Sequence, residues 1–128
     1  MDAFFKYCER NGYKKGNLEF YLNNYLFKKV DLKNKSILDI GGGDGVNSCF
    51  AVLKGANAVI LEPEADGSTN DVGKKFEEMR SHLKLSTEEI SLLSVSIQDF
   101  ESPNGFDIII LHNSVNHIDE DACIELLE

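Results

Sequence analysis

The sequence predicts an α/β fold in which helices cover a mostly parallel sheet. The main observation is a short apolar run at residues 37–40, which ends abruptly at three consecutive glycines, Gly41, Gly42 and Gly43. Helix-like sequence resumes at Val46, and three further short apolar runs follow along the chain. Buried strands that combine with helical segments in this way are typical of parallel sheets.

The turn between the first strand and its helix has the pattern D-x-G-x-G-x-G, with Asp39, Gly41, Gly43 and Gly45 at the named positions. Glycine lets the backbone turn sharply and approach a ligand without an intervening Cβ atom. The helix that follows directs its free N–H groups to the same place. A dinucleotide-binding turn, G-x-G-x-x-G, would need glycine where Val46 stands. The pattern therefore favours a nucleotide-like ligand other than a nicotinamide cofactor, and a glycine turn without a ligand is the simpler alternative.

This glycine motif resembles the first motif of the class I S-adenosylmethionine-dependent methyltransferases. The resemblance extends over all four predicted strands. It implies a Rossmann-like three-layer sandwich with strand order 3-2-1-4, S-adenosyl-L-methionine as the cofactor, and methyl transfer as the activity. It also implies that the glycine loop, with Gly42 inside it, holds the amino-acid end of the cofactor and that Asp39 orders that end directly or through water.

An acidic residue stands at the end of the second predicted strand, residues 58–62. Glu62 lies about 20 residues beyond the glycine turn, where an acid of a nucleotide-binding fold contacts the ribose. A carboxylate can accept hydrogen bonds from both ribose hydroxyls. The resemblance assigns this role to Glu62 and adds Pro63, which ends the strand, to the cofactor contacts. A solvated acid at a strand end is the alternative.

The third predicted strand, residues 92–97, is followed by Gln98, Asp99 and Phe100. In the resemblance, an acid at this position accepts a hydrogen bond from the adenine amine and an apolar neighbour packs on the ring. Asp99 and Phe100 match those two roles, and Ile97 or Gln98 would add a backbone contact. A short acidic loop without a ligand is the alternative.

The fourth predicted strand, residues 106–111, leads into a polar segment at the edge of the sheet where ligands bind in such folds. His112 and Asn113 are predicted to contact the cofactor. His117 matches a histidine often found in small-molecule methyltransferases and is the candidate catalytic base. A structural or solvated histidine is the alternative.

The 128 residues divide into a predicted N-terminal helical segment, 1–35, and a cofactor-binding domain, 36–128. Helices are expected over residues 2–11 and 17–29, then from a cap at Ser68, Thr69 or Asn70 to about Leu83, and finally from Asp119 or Glu120. The later strands of a seven-stranded methyltransferase are missing. We therefore expect a truncated domain, or a homo-oligomer that pairs through the edge of strand four.

Composition limits the partners. The 22 acidic and 13 basic residues give a net charge of −9, which disfavours nucleic acid and anionic membranes. No apolar run approaches the roughly 20 residues of a membrane span, and the N-terminus lacks signal-peptide features, so a cytoplasmic location is expected. The three cysteines have neither zinc-site nor disulfide-framework spacing, so no metal is expected, and Cys49 is predicted to be buried.

The leading functional prediction is methyl transfer from S-adenosylmethionine to a small-molecule acceptor. A non-catalytic module that binds the cofactor, or a fragment that needs a partner chain, is the alternative. A nicotinamide-dependent oxidoreductase is disfavoured by the glycine spacing.

Overall fold

The computed structural model describes residues 1–63, 71–101 and 105–111. Its helices and strands, in chain order, are α1 (Asp2–Arg10), α2 (Lys15–Tyr21), a π-helix (Leu22–Leu26), β1 (Ser36–Ile40), α3 (Val46–Leu53), β2 (Asn57–Leu61), α4 (Val72–His82), β3 (Ile90–Leu93), a 3-10 helix (Ile97–Asp99) and β4 (Ile108–Ile110).

The four strands form one parallel sheet in the order β3-β2-β1-β4. Leu38 in the middle of β1 lies opposite Val59 of β2 and Ile109 of β4. The predicted topology is therefore confirmed. Because all strands run the same way, the segments that follow β1, β2 and β3 meet at one edge of the sheet.

Buried apolar side chains lie on both faces of the sheet. The side chains that alternate on one face, including Ile37, Ile60 and Ile90, are fully buried in a core shared with α1 to α4. The opposite face carries Leu38 and Leu61, packed in the described part of the chain against residues of the 3-10 helix and the neighbouring loops. Burial on both faces explains the continuous apolar runs in the sequence.

Two strands differ from their predicted bounds by more than one residue. β3 was expected at residues 92–97 but ends at Leu93, because its pairing partner β2 ends at Leu61, opposite Leu93. β4 was expected at residues 106–111 but extends only over Ile108–Ile110. Asp107, just before it, still contacts β1: its N–H donates to the Ser36 carbonyl at 3.0 Å, and its carboxylate accepts hydrogen bonds from the backbone N–H and the hydroxyl of Ser36 at 2.9 and 3.1 Å.

The helix predicted over residues 17–29 is divided in two. After α2, the chain widens into the π-helix, and the Phe27 N–H donates to the Leu22 carbonyl at 3.0 Å. Asn23 and Asn24 favour this departure because asparagine is a weak helix former. The wider turn brings the Phe27 ring into a stacked contact with Phe50 of α3, with 5.9 Å between the ring centroids.

Of the helices predicted after the glycine turn, the first begins where expected and the second begins later than expected. α3 begins at Val46 as expected, and Gly55 beyond its C-terminus has a φ of +104°. α4 begins at Val72, after Asp71, so the predicted cap at residues 68–70 is not its start, and those residues lie outside the described part. The predicted last helix also lies outside the described part.

Within the described ranges, no helix is long and apolar enough to span a membrane, and no cluster of three or more His, Cys, Asp or Glu side chains could hold a metal ion. The cytoplasmic location, the absence of a metal, the domain boundary at residue 36 and pairing through the edge of strand four all stay predictions.

Two thiols make stability sensitive to alkaline pH. Cys49 is fully buried, as predicted, and Cys8 is nearly so. Burial raises the pKa of Cys8 to about 11 and that of Cys49 to about 12. Above pH 9 the unfolded chain loses these protons while the folded protein keeps them, so we expect the free energy of unfolding to fall as pH rises. Urea unfolding at pH 8, 9 and 10 measures the decline.

The matched variant for this pH effect is Cys49→Ala. Without the Cys49 thiol, the decline should become shallower by up to about 1.4 kcal/mol per pH unit. A decline as steep as that of the parent protein would show that the thiol does not cause it.

Candidate functional site

The glycine turn lies at the carboxyl end of β1. The Gly41 N–H donates to the carbonyl of Leu61 at 2.7 Å, which joins the turn to the end of β2. Gly41, Gly43 and Gly45 have φ angles of +69°, +59° and +85°. These left-handed conformations are strained for residues that carry a Cβ atom, which explains the alternating glycines.

The inner side of the turn is closely packed. A Cβ atom at Gly42 would lie 2.6 Å from Oδ2 of Asp39, and one at Gly45 would lie 2.8 Å from Cδ1 of Phe76. A Cβ atom at Gly43 would meet no atom within 4 Å. The turn is therefore supported by the core from below and has free space at Gly43, where a ligand could approach the backbone.

Asp39 lies beneath the turn. Its side chain is fully buried, and its Oδ2 accepts a hydrogen bond of 2.7 Å from the hydroxyl of Ser48 in α3. The sequence motif identified Asp39 but contained no signal for Ser48. The predicted contact of Asp39 with a cofactor stays a prediction.

Glu62, directly after β2, contacts the glycine turn. Its Oε2 accepts a hydrogen bond of 3.2 Å from the Gly43 N–H, although 19 residues separate the two. The side chain is only partly buried. The acid after β2 and the turn after β1, selected separately from the sequence, thus converge. Pro63 is exposed, and its carbonyl accepts a hydrogen bond of 3.2 Å from the hydroxyl of Ser94, beyond β3.

The segment after β3 presents polar groups at the same edge. In the 3-10 helix, Gln98 and Asp99 are exposed, while Ile97 is buried against the sheet. The Ser96 hydroxyl donates to Oδ2 of Asp99 at 2.9 Å and orients that carboxylate. Phe100 is half-buried and packs near Phe106, with 6.2 Å between the ring centroids.

Two tyrosines attach the N-terminal segment to the turn. The Tyr13 hydroxyl donates to Oδ2 of Asp44 at 3.2 Å, and Tyr21 shares a side-chain hydrogen bond with Asn47 in the first turn of α3. Neither contact could be predicted from the sequence, because both join residues that are distant in the chain. The helices before β1 therefore border the candidate site.

Asp44 should contribute to the raised pKa of Tyr13. Burial, and then the Asp44 carboxylate, raise the pKa of Tyr13 to about 12. Asp44→Asn should lower this pKa but leave it above 10, because burial is the larger cause. Absorbance titration at alkaline pH, with Tyr13→Phe subtracted to isolate the signal, measures it. An unchanged pKa in Asp44→Asn would contradict the contact.

The remaining predicted site residues, His112, Asn113 and His117, lie outside the described residues. Their predicted roles stay predictions.

The sequence matches no protein-family model and no curated protein. Solved structures do match. The C-terminal domain of precorrin-6Y C5,15-methyltransferase from Rhodobacter capsulatus has a TM-score of 0.63 at 16% identity, over 90% of this chain and 56% of that chain. PKMT2 from Rickettsia typhi, in complex with AdoHcy, has a TM-score of 0.59 at 25% identity, over 75% of this chain and 19% of that one.

A third match is a Pyrococcus horikoshii protein proposed to be an RNA methyltransferase. Its TM-score is 0.54 at 23% identity, over 75% of this chain and 44% of that chain. The chain thus spans from about a fifth to just over half of the length of these three structures.

The sheet order and the glycine turn define a Rossmann-like α/β fold with its candidate site at the carboxyl edge. More narrowly, this is the fold of the class I S-adenosylmethionine-dependent methyltransferases.

Proposed function

We propose that this chain binds S-adenosylmethionine at the carboxyl edge of its sheet and takes part in methyl transfer. The observation that carries the proposal is the convergence of Glu62 and the Gly43 N–H, 3.2 Å apart, beside the open outer side of the glycine turn. The bound AdoHcy of the Rickettsia typhi protein supports the choice of cofactor.

The described residues fit such a cofactor. The turn formed by Gly41, Gly43 and Gly45 would receive its amino-acid end at Gly43, where a Cβ atom would meet no atom within 4 Å. Glu62 would accept hydrogen bonds from the ribose hydroxyls. Asp99 would accept one from the adenine amine, and Phe100 would pack near the ring.

Methyl transfer does not require the protein to form a covalent bond, because the cofactor supplies an activated methyl group on a good leaving group. The protein has to align the acceptor with the methyl group and exclude water. The N-terminal segment, attached through Tyr13 and Tyr21, is placed to form a wall of this site. His117 would act as a base only if the acceptor must lose a proton.

We propose a small-molecule acceptor. The net charge of −9 supports this choice over nucleic acid, since an acidic surface repels phosphates. The proteins of the matched structures differ in methyl acceptor, and one is proposed to methylate RNA. The fold therefore does not identify the acceptor, and experiment has to do so.

Isothermal titration with S-adenosylmethionine and S-adenosylhomocysteine tests the proposal. Saturable binding to the folded chain is expected, and no binding in a well-folded sample would overturn it. A thermal-shift comparison with NADH should show stabilisation by S-adenosylhomocysteine only. Turnover on a panel of amines, alcohols, thiols and short RNAs then identifies the acceptor. Binding without turnover would favour the non-catalytic module.

A further inference from the structure

We infer that Ser48 is a positioning residue for the glycine turn and acts on it through Asp39. The expected effect of Ser48 on cofactor affinity rests on the proposed function. Its expected effect on the glycine turn does not, because that effect concerns the protein without ligand.

Ser48 and Asp39 are the only buried polar side chains in the part of the chain that the structure describes. Both have no exposed surface, and the Ser48 hydroxyl donates to Oδ2 of Asp39 at 2.7 Å. A hydrogen bond to a buried carboxylate is stronger than one between neutral groups. This bond therefore restrains the carboxylate inside the core.

The same carboxylate supports the turn. Asp39 Oδ2, the atom that accepts the Ser48 hydrogen bond, lies where a Cβ atom at Gly42 would be only 2.6 Å away. The Gly42 backbone therefore rests directly on the carboxylate. A rotation of the Asp39 side chain would move the surface on which Gly42 lies, and the next residue, Gly43, has the N–H that donates to Glu62.

Helix packing alone does not explain a serine at position 48. Alanine has the higher helix propensity and would bury no polar group. Its neighbour Cys49 is equally buried in α3, but its side chain belongs to the hydrophobic core. What the serine adds is its hydroxyl, which donates a hydrogen bond to Asp39 beneath the turn.

Ser48→Ala, Ser48→Cys and Cys49→Ala form a matched set, since all three alter a fully buried small side chain in one helix. Without ligand, the amide resonances of Gly42 and Gly43 should shift in Ser48→Ala but not in Cys49→Ala. Affinity for S-adenosylhomocysteine should fall about tenfold in Ser48→Ala, because a smaller fraction of molecules would hold the binding conformation. It should fall less in Ser48→Cys, whose thiol is a weaker donor, and stay within about twofold in Cys49→Ala.

The outcomes separate the two proposals. If the parent chain binds no cofactor, the proposed function fails, and the glycine resonances still decide the role of Ser48. Unshifted resonances in Ser48→Ala would overturn the inference, as would equal affinity losses in Ser48→Ala and Cys49→Ala. Should Ser48→Ala not fold, Ser48→Cys decides by the same two measurements, because it keeps the side chain in place.

Discussion

Glu62→Gln should weaken binding of S-adenosylmethionine by roughly 10- to 100-fold. The Glu62 carboxylate only accepts hydrogen bonds, and it already accepts one from the Gly43 N–H at 3.2 Å. Glutamine keeps the size of the side chain but replaces one acceptor oxygen with a donor and removes the charge. It could not accept from Gly43 and from both ribose hydroxyls at once. Isothermal titration of the two proteins measures the change.

Glu88→Gln is the control for Glu62→Gln. Glu88 is an exposed acid in the turn before β3, so its change removes the same charge from the protein surface. We expect its affinity to match that of the parent chain. An equal loss in both variants would mean that net charge, rather than a ribose contact, controls binding. Unchanged affinity in Glu62→Gln would remove Glu62 from the site.

Gly45→Ala should lower the free energy of unfolding by about 2–5 kcal/mol. The left-handed backbone at position 45, with a φ of +85°, costs about 1–2 kcal/mol with an alanine side chain. The new methyl group would also lie 2.8 Å from a ring carbon of Phe76 and 3.0 Å from a methyl carbon of Ile60, and overpacking typically costs about 1–3 kcal/mol. Urea unfolding measures the sum.

Gly12→Ala separates these two contributions to the effect of Gly45→Ala. Gly12 also has a left-handed backbone, with a φ of +97°, but a Cβ atom there would meet no atom within 4 Å. It should therefore show only the conformational cost. Equal losses in the two variants would indicate that the contact with Phe76 has no energetic effect.

The sequence indicated the glycine turn and Glu62 because both signals are local: each is a residue type at a defined distance from a strand end. The two converge because parallel strands bring their carboxyl ends to one edge. Asp99, which lies after β3 at that edge, was selected by the resemblance to the methyltransferases. Strand bounds were less predictable, because an apolar run continues past the point where its partner strand ends, as at Leu93.

The sequence by itself determined the fold class and the edge of the sheet where the candidate site lies, since these follow from apolar runs and glycine spacing. The strand order was implied by the resemblance of the glycine motif to the class I S-adenosylmethionine-dependent methyltransferases. Only the tertiary structure decided that Ser48 donates a hydrogen bond to Asp39 beneath the turn, that Tyr13 reaches Asp44, and that the Phe27 ring stacks on Phe50. These contacts join residues that are separated along the chain. Hydrophobic periodicity and motif spacing are local signals, so they do not predict which distant residues meet.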